Sequence, residues 1–138
     1  AVTTDTVRAH LQGHHVIGVY AMLQDETCWF LAADFDKAAW KDDIIAFTQT
    51  CRDAHVAYAI ERSRSGNGGH VWFFFNAPVA AEKARKMGSY LLTKTMANRH
   101  QLSMASYDRL FPNQDTLPRG GFGNLIALPL QYRSRQDG

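Results

Sequence analysis

The amino-acid sequence predicts a single α+β domain, on the evidence of its length, its composition and the order of its apolar segments. Of its 138 residues, 46% are hydrophobic and 20% are charged, which is typical of one globular domain with its own core. From Cys28 onward, the apolar periodicity follows the order strand, helix, strand, strand, helix, strand. This βαββαβ order is that of ferredoxin-like and RNA-recognition folds, in which an antiparallel sheet carries two helices on one face.

The first part of the chain is predicted to add a strand to that core. Residues 1–13 form an amphipathic lead-in, and residues 15–23 are rich in strand-forming side chains. A polar connection at residues 24–27 leads into the strand at residues 28–34, so we expect an N-terminal β-hairpin. One apolar stripe at helical spacing then predicts a helix that carries Trp40, Ile44, Phe47 and Cys51.

The second part of the chain predicts four strands and one more helix. The strands are expected at residues 56–61, 71–75, 102–107 and 125–130. The segment 71–75 is continuously apolar, which favours burial on both faces. Pro78 is expected to open the helix, over about residues 79–98, because proline suits the first helical turn. The inner side of this helix is predicted to carry Ala84, Met87, Leu91 and Leu92.

Composition excludes several classes of protein. No apolar run approaches the ~20 residues of a membrane span, and the N-terminus lacks the pattern of a signal peptide, so a cytoplasmic location is expected. Cys28 and Cys51 fit neither a zinc motif nor a disulfide framework, which indicates buried reduced thiols. The net charge is only +2, but arginines cluster locally as phosphate-binding groups do. The clustered pairs are Arg62 and Arg64, Arg109 and Arg119, and Arg133 and Arg135.

Two carboxylates, Asp34 and Asp36, end the apolar run that begins at Cys28. Residues two apart in a strand share a face, so both carboxylates should project together while Phe35 enters the core. Adjacent carboxylates repel one another unless a cation lies between them, and Mg²⁺ or Mn²⁺ would remove that repulsion. An alternative is a strand that simply runs into a solvated acidic turn.

The glycine-rich segment that follows Arg62 and Arg64 is the second candidate site. Three glycines within four positions permit close backbone approach, so successive N–H groups can form an anion-binding nest. The flanking Ser65 and His70 can both donate hydrogen bonds to phosphate oxygens. The alternative is an ordinary hairpin turn. The expected phosphate-binding set is Arg62, Arg64, Ser65, Gly66, Asn67, Gly68 and His70.

The third candidate element is the segment 106–115. Asp108 follows a short apolar segment, as Asp34 does, and is expected to be the third carboxylate of a two-metal site. Asp115 competes for this role but lies among turn-forming residues. Asn113 and Gln114 could orient a base or a sugar, or could simply be turn residues.

These three motifs stand in the order and context found in the archaeo-eukaryotic primase superfamily. Its DxD motif, its SGxGxH-like phosphate loop and its hydrophobe-Asp pair resemble Asp34-Phe35-Asp36, Ser65-Gly66-Asn67-Gly68-Gly69-His70 and Tyr107-Asp108. The longer segments 61–72, 106–115 and 120–131 look like the primase-polymerase branch of TOTE-type conflict systems and of CRISPR-associated primase-polymerases. The similarity extends over nearly the whole chain.

The resemblance implies a DNA primase or DNA-directed polymerase that acts in replication or repair. Asp34, Asp36 and Asp108 would hold two divalent ions, Mg²⁺ or Mn²⁺, with no zinc, and Ser65 and His70 would grip the triphosphate of the incoming nucleotide. Arg133 and Arg135 resemble the paired basic residues that follow the third motif in polymerase domains of end-joining ligases. Residues 1–138 would be one monomeric catalytic domain, a trimmed core with a helicase or nuclease as a further partner.

Two alternatives of other classes are left by the residues themselves. The first is a non-catalytic single-strand binder on an RNA-recognition-like sheet, for which aromatic side chains could supply stacking platforms. Clustered carboxylates argue against it, because they would repel phosphate. The second is a metal-dependent nuclease, for which His14 and His15 could be metal ligands. They lie beside the wrong motif, and edge-strand histidines are the preferred interpretation.

Overall fold

The computed structural model describes residues 2–98 and 104–136, without the side chain of Arg133. These residues form four helices and six strands. In chain order they are α1 (Thr4–Leu11), β1 (Gly18–Tyr20), β2 (Thr27–Asp36), α2 (Trp40–Asp53), β3 (Ala59–Arg62), β4 (Gly68–Ala80), α3 (Ala81–Asn98), β5 (Tyr107–Phe111), β6 (Leu125–Ala127) and α4 (Tyr132–Gln136).

The main sheet has the strand order β3-β4-β2-β5, and every neighbouring pair is antiparallel. Together with α2 and α3, these strands give the predicted βαββαβ core of the ferredoxin-like and RNA-recognition folds. The α+β fold class is therefore confirmed. Strand β2, which ends in Asp34 and Asp36, lies at the centre of the sheet.

The two helices pack on one face of the main sheet. Alternate residues of β2, namely Leu31, Ala33 and Phe35, join a buried core with Phe47 of α2 and Leu91 of α3. The predicted stripe of α2 is confirmed, because Ile44, Phe47 and Cys51 are buried and Trp40 packs against them. The strand residues between them face the other way, which is why the two carboxylates lie on the opposite face.

A second, two-stranded sheet covers part of that opposite face. Strand β1 pairs with β6, and Ile126 packs with Ala32 and Trp72 in a smaller apolar cluster. The predicted N-terminal hairpin is therefore wrong, since β1 takes a partner from the other end of the chain instead of β2. The small sheet contacts the middle of β2 and β4, and it does not cover the end of β2 that carries Asp34 and Asp36.

Strand β4 is longer at both ends than predicted. It begins at Gly68 and ends at Ala80, so Pro78 lies in the strand and the following helix begins at Ala81. Beyond a register shift near Cys28, the last residues of β4 still pair with the start of β2, which extends the strand past the proline. Burial on both faces is confirmed for residues 71–73 but is wrong for Phe74, which is 62% exposed.

The remaining strands differ from prediction mainly at their ends. Strand β5 begins at Tyr107, so the prediction of a strand that ends before Asp108 is wrong; residues 102 and 103 lie outside the described residues. Strands β3 and β6 are shorter than predicted. Across residues 2–98 and 104–136, no helix has both the length and the apolar character needed to cross a membrane.

Candidate active site

Three carboxylates meet at the end of the main sheet. Asp34 and Asp36 project from the same face of β2, as their spacing predicts, and Asp108 comes from the neighbouring β5. One oxygen from each carboxylate lies within 4.8 Å of the other two. Because carboxylate oxygens are the preferred ligands of hard divalent cations, this grouping has the donor set of a Mg²⁺ or Mn²⁺ site.

An irregularity in β5 brings Asp108 to this face. Asp34 pairs with Arg109 and Phe35 pairs with Tyr107, so Asp108 is an extra residue between two consecutive pairs. In a regular ladder Asp108 would lie opposite Phe35 and share its core-facing side. A β-bulge adds one residue and re-aims a side chain, which explains why Asp108 lies beside Asp34 instead.

Ser106 ties the start of β5 to its neighbours. Its carbonyl oxygen accepts a hydrogen bond of 2.7 Å from the backbone N–H of Asp36. Its own N–H and Oγ–H donate to Oδ2 of Asp43 at 3.1 and 2.5 Å, and both side chains are buried. Asp43 therefore fixes the chain two residues before Asp108.

The side chain of Asp34 is 14% exposed, which makes it the most buried of the three clustered carboxylates. Burial raises the pKa of Asp34, the imidazole of His70 opposes that shift, and the charges of Asp36 and Asp108 add to it. Its Oδ1 is buried without a hydrogen-bond partner. A buried carboxylate oxygen that accepts no hydrogen bond, beside two more carboxylates, is the arrangement that a bound divalent cation satisfies, so the residues fit such a group.

His70 lies directly opposite Asp34 in the ladder between β2 and β4. Its Nε2 is 3.5 Å from Oδ1 of Asp34, and its Nδ1 donates to Oε2 of Glu61 at 3.1 Å. Burial lowers the pKa of His70, but the hydrogen bond with Glu61 and the charges of Asp34, Glu61 and Asp36 raise it above its ordinary value. An imidazole nitrogen thus faces the carboxylates from the neighbouring strand.

The glycine-rich segment divides into a loop and the start of a strand. Of its glycines only Gly66 has a positive φ, at 76°, and its N–H donates to the Ser63 carbonyl. The N–H of Asn67 donates to Oγ of Ser65 at 3.3 Å, so both groups are used within the loop. The expected nest of successive free N–H groups is therefore wrong for these two residues. Gly68 and Gly69 are buried residues of β4.

The predicted arginines are distributed over several surfaces. Arg62 lines a cavity of about 600 Å³ with Lys37, Trp40, Lys41 and others, at the start of α2. Arg64 lines a separate cavity of about 390 Å³, whose wall includes His14 and His15. Neither histidine is in a strand, so the edge-strand interpretation is wrong.

The C-terminal pair lies on α4. The guanidinium of Arg135 donates to the backbone carbonyl of Leu11 at 2.8 Å, at the end of α1. The backbone of Arg133 belongs to the same helix, and its side chain lies outside the described residues. Arg135 thus joins the two ends of the chain.

The loop after β5 holds the other predicted polar residues. The backbone N–H of Asn113 donates to Oδ1 of Asn124, and the side-chain amide of Gln114 donates to the Thr116 carbonyl within its own loop. Asp115, the competitor of Asp108, forms an ion pair with Arg85 of α3. Asp115 is therefore not part of the cluster formed by Asp34, Asp36 and Asp108.

Glu61 and Asp43 were not predicted at the site, and Arg109, which the sequence analysis places in an arginine cluster, is found beside Asp108. Glu61 pairs directly with His70 across the β3-β4 ladder, so the register of that hairpin would have revealed it. Arg109 donates to Oδ2 of Asp108 at 2.6 Å, and it immediately follows that residue in sequence. Asp43 gives no local signal, because its partner Ser106 is distant in the chain.

The comparisons with known proteins agree with this geometry. Residues 1–138 match the family model described as the archaeo-eukaryotic primase domain of the TOTE conflict system. Among curated proteins, none matches the chain. The family match includes β2, the glycine-rich segment and β5, which together supply the acidic cluster and His70. The chain belongs to the archaeo-eukaryotic primase family, in its TOTE conflict system branch.

Proposed function

We propose that the protein is a template-directed nucleotidyltransferase, a DNA primase or polymerase that adds nucleoside triphosphates to a 3′-hydroxyl. The observation that carries this proposal is the convergence of Asp34, Asp36 and Asp108 within 4.8 Å, in a member of the primase family. Residues 1–138 would constitute one catalytic domain, whose partners are a DNA template with primer and nucleoside triphosphates.

In this reaction the 3′-hydroxyl oxygen bonds to the α-phosphorus and the bond to the bridging oxygen of the leaving pyrophosphate breaks. The hydroxyl releases its proton to water, and the pyrophosphate departs with the electron pair of the broken bond and its negative charge. Two divalent ions, Mg²⁺ or Mn²⁺, supply activation of the hydroxyl and neutralisation of the triphosphate when bound. The three carboxylates would hold them, and the unpaired Oδ1 of Asp34 would gain a partner.

The triphosphate is proposed to lie between the carboxylates and the glycine-rich loop. His70 presents Nε2 on the carboxylate side, and Ser65 stands in the loop that precedes β4. Arg64, in the same loop, would add a cationic side chain for a phosphate. The other members of the proposed nucleotide-binding set are Arg62, Gly66, Asn67, Gly68, Asn113, Gln114, Arg133 and Arg135.

Extension of a primer on a DNA template tests the proposal. With labelled nucleotides and Mn²⁺ or Mg²⁺, we expect product from the wild type and a loss of at least about 1,000-fold from Asp34→Ala and Asp108→Ala. Asp115→Asn is the matched control, because Asp115 is also acidic and near β5 but pairs with Arg85. Undiminished extension by Asp34→Ala would reject the metal assignment.

The same assay separates the alternatives. Tight metal-independent binding of single strands without incorporation would favour a binding module. Cleavage of a labelled strand without added nucleotide would favour a nuclease.

Metal binding can be measured apart from catalysis. At a concentration 100 times its dissociation constant, a cation that binds only the folded state adds about 2.7 kcal/mol of stability. We therefore expect Mn²⁺ to raise the melting temperature of the wild type and not that of Asp34→Asn. Without metal, Asp34→Asn should be at least as stable as the wild type, because the raised pKa of Asp34 shows that the fold disfavours its charged form. An equal Mn²⁺ shift in both proteins would contradict the assignment of Asp34.

A further inference from the structure

Glu61 joins His70 to the buried centre of the sheet. A single oxygen, Oε2, accepts hydrogen bonds from Nδ1 of His70 at 3.1 Å and from Nε1 of Trp72 at 3.0 Å. The side chains of Glu61 and His70 are each only 14% exposed. A carboxylate accepts and does not donate, so Nδ1 of His70 must carry the proton of this bond.

Trp72 makes this arrangement rigid. Its side chain is 1% exposed, and its ring contacts those of Phe30 and Phe74, with centroid distances of 5.2 and 5.9 Å. The indole N–H is therefore a fixed donor, which holds the Glu61 carboxylate in one place. Glu61 in turn prevents the imidazole of His70 from turning over, which would exchange its two nitrogens.

The second ring nitrogen of His70, Nε2, is then held in one orientation. With Nδ1 held by Glu61, Nε2 lies 3.5 Å from Oδ1 of Asp34, on the carboxylate side. Outer hydrogen-bond partners of this kind commonly determine which nitrogen of a histidine meets a site.

We propose that Glu61 is a positioning residue, which holds His70 so that Nε2 faces the phosphate groups bound beside the three carboxylates. The inference rests on the proposed function for the identity of the phosphates, but not for the orientation of the ring. A histidine free to turn would present the correct nitrogen for only part of the time. Loss of Glu61 should therefore weaken contact with the triphosphate without removing any carboxylate.

Two substitutions separate position from charge. Because both hydrogen bonds end on one oxygen, the amide oxygen of Glu61→Gln can accept both, whereas Glu61→Ala accepts neither. We expect Glu61→Ala to lower kcat/KM by about 10–100-fold, the usual effect of losing such an outer partner, and Glu61→Gln to restore most of it. Glu82→Ala is the control, since Glu82 is exposed on α3 and pairs only with Lys86 among the described ion pairs.

A double-mutant cycle tests whether Glu61 acts through His70. In a His70→Ala background, Glu61→Ala should cause no further loss of kcat/KM. A full additional 10–100-fold loss in that background would overturn the inference, as would wild-type kcat/KM in the single Glu61→Ala variant.

The orientation itself is measurable without metal, nucleotide or activity. Nitrogen-15 NMR of the imidazole should show a proton on Nδ1 of His70 in the wild type and in Glu61→Gln, and altered shifts in Glu61→Ala. A wild-type spectrum with Nδ1 bare would overturn the inference even if no variant folds. Wild-type protein with protonated Nδ1 that extends no primer would instead reject the proposed function and leave the orientation established.

Discussion

Gly68 lies directly opposite Asp36, and the geometry leaves no room there for a side chain. A Cβ at this position would be 2.4 Å from Oδ1 of Asp36 and 2.6 Å from the carbonyl oxygen of Phe35. Its φ is not in the left-handed region, so glycine is needed here for space and not for backbone freedom. The glycine-rich segment thus contributes to the site partly by allowing a carboxylate to lie close to β4.

We expect Gly68→Ala to displace Asp36 and to lower primer extension by about 100-fold, the cost of a misplacement near 1 Å. Gly120→Ala is the contrasting control. Gly120 has φ of 72° with nothing within 4 Å of an added Cβ, so alanine there should cost about 1–2 kcal/mol of stability while extension is retained. Urea unfolding and extension assays on both variants check the pair. Normal extension by Gly68→Ala would show that Asp36 tolerates the displacement.

The acidic pair could be predicted from the sequence, whereas the residues that support it could not. Asp34 and Asp36 share a face because strands repeat every two residues, and that rule is local. The contact of Glu61 with His70 depends on the register of β3 against β4, which the loop between them sets. Glycine permits many conformations, so the sequence predicts free N–H groups in the loop, but the conformation it adopts bonds the N–H groups of Gly66 and Asn67 internally.

Strand β5 shows how one element places one catalytic candidate. It is an edge strand of the main sheet and its bulge re-aims Asp108. The bulge is followed by an ordinary ladder, in which Leu110 pairs with Ala33 and enters the core. The position of Asp108 therefore depends on how the segment before the bulge is anchored.

The boundaries of these elements were harder to predict than their order. The sequence predicts β5 too early, because Leu102, Met104 and Tyr107 indicate a short strand and Asp108 is typical of a strand end. In the structure the strand includes Asp108 and Arg109, whose exposed side chains break the apolar pattern on which the prediction relied. Pro78 was assigned to a helix start because proline suits that position, and pairing with β2 prevailed over that preference.

Asp43 anchors β5 to α2, and removing it tests that role. Asp43→Ala leaves the buried N–H and Oγ–H of Ser106 without acceptors, so we expect a loss of about 2–3 kcal/mol in the free energy of unfolding. Ser106→Ala removes only the hydroxyl bond and should cost less. Asp53→Ala, at the exposed end of the same helix, is the control and should change stability by less than about 0.5 kcal/mol. Urea titrations measure all three, and equal stability of Asp43→Ala and Asp53→Ala would contradict the anchor.

The described chain is built as three layers, with the main sheet between two helices and a small sheet. The small sheet joins segments near the two ends of the chain, as β1 pairs with β6 and Arg135 bonds the end of α1. Neighbouring segments usually pair, so a local hairpin was expected, and the long-range pairing has no signature in local periodicity. The arrangement matters for the site because it covers the middle of the carboxylate face and leaves its end accessible.

The larger of the two cores lies on the helix side and contains both cysteines. Cys28 of β2 and Cys51 of α2 are fully buried in the same apolar cluster. Burial raises the pKa of each thiol to about 11. Since the thiolate is the reactive form, less than about 1% of either thiol is reactive in the folded protein at pH 8.

We therefore expect native protein at pH 8 to resist alkylation by iodoacetamide, and both cysteines to react together as urea approaches the unfolding transition. Both cysteines lie in the same buried cluster, so we expect loss of that cluster on unfolding to expose them together. Raised thiol pKa values mean that the folded state disfavours thiolates, so stability from this source is complete below pH 9 and falls as the pH rises toward about 11. Mass spectrometry of peptides that contain each cysteine measures both rates, with fully denatured protein as the control for intrinsic reactivity. If Cys51 reacted much faster than Cys28 in native buffer, α2 would open independently of the sheet, and the anchoring of Asp108 through Asp43 on that helix would be a transient contact.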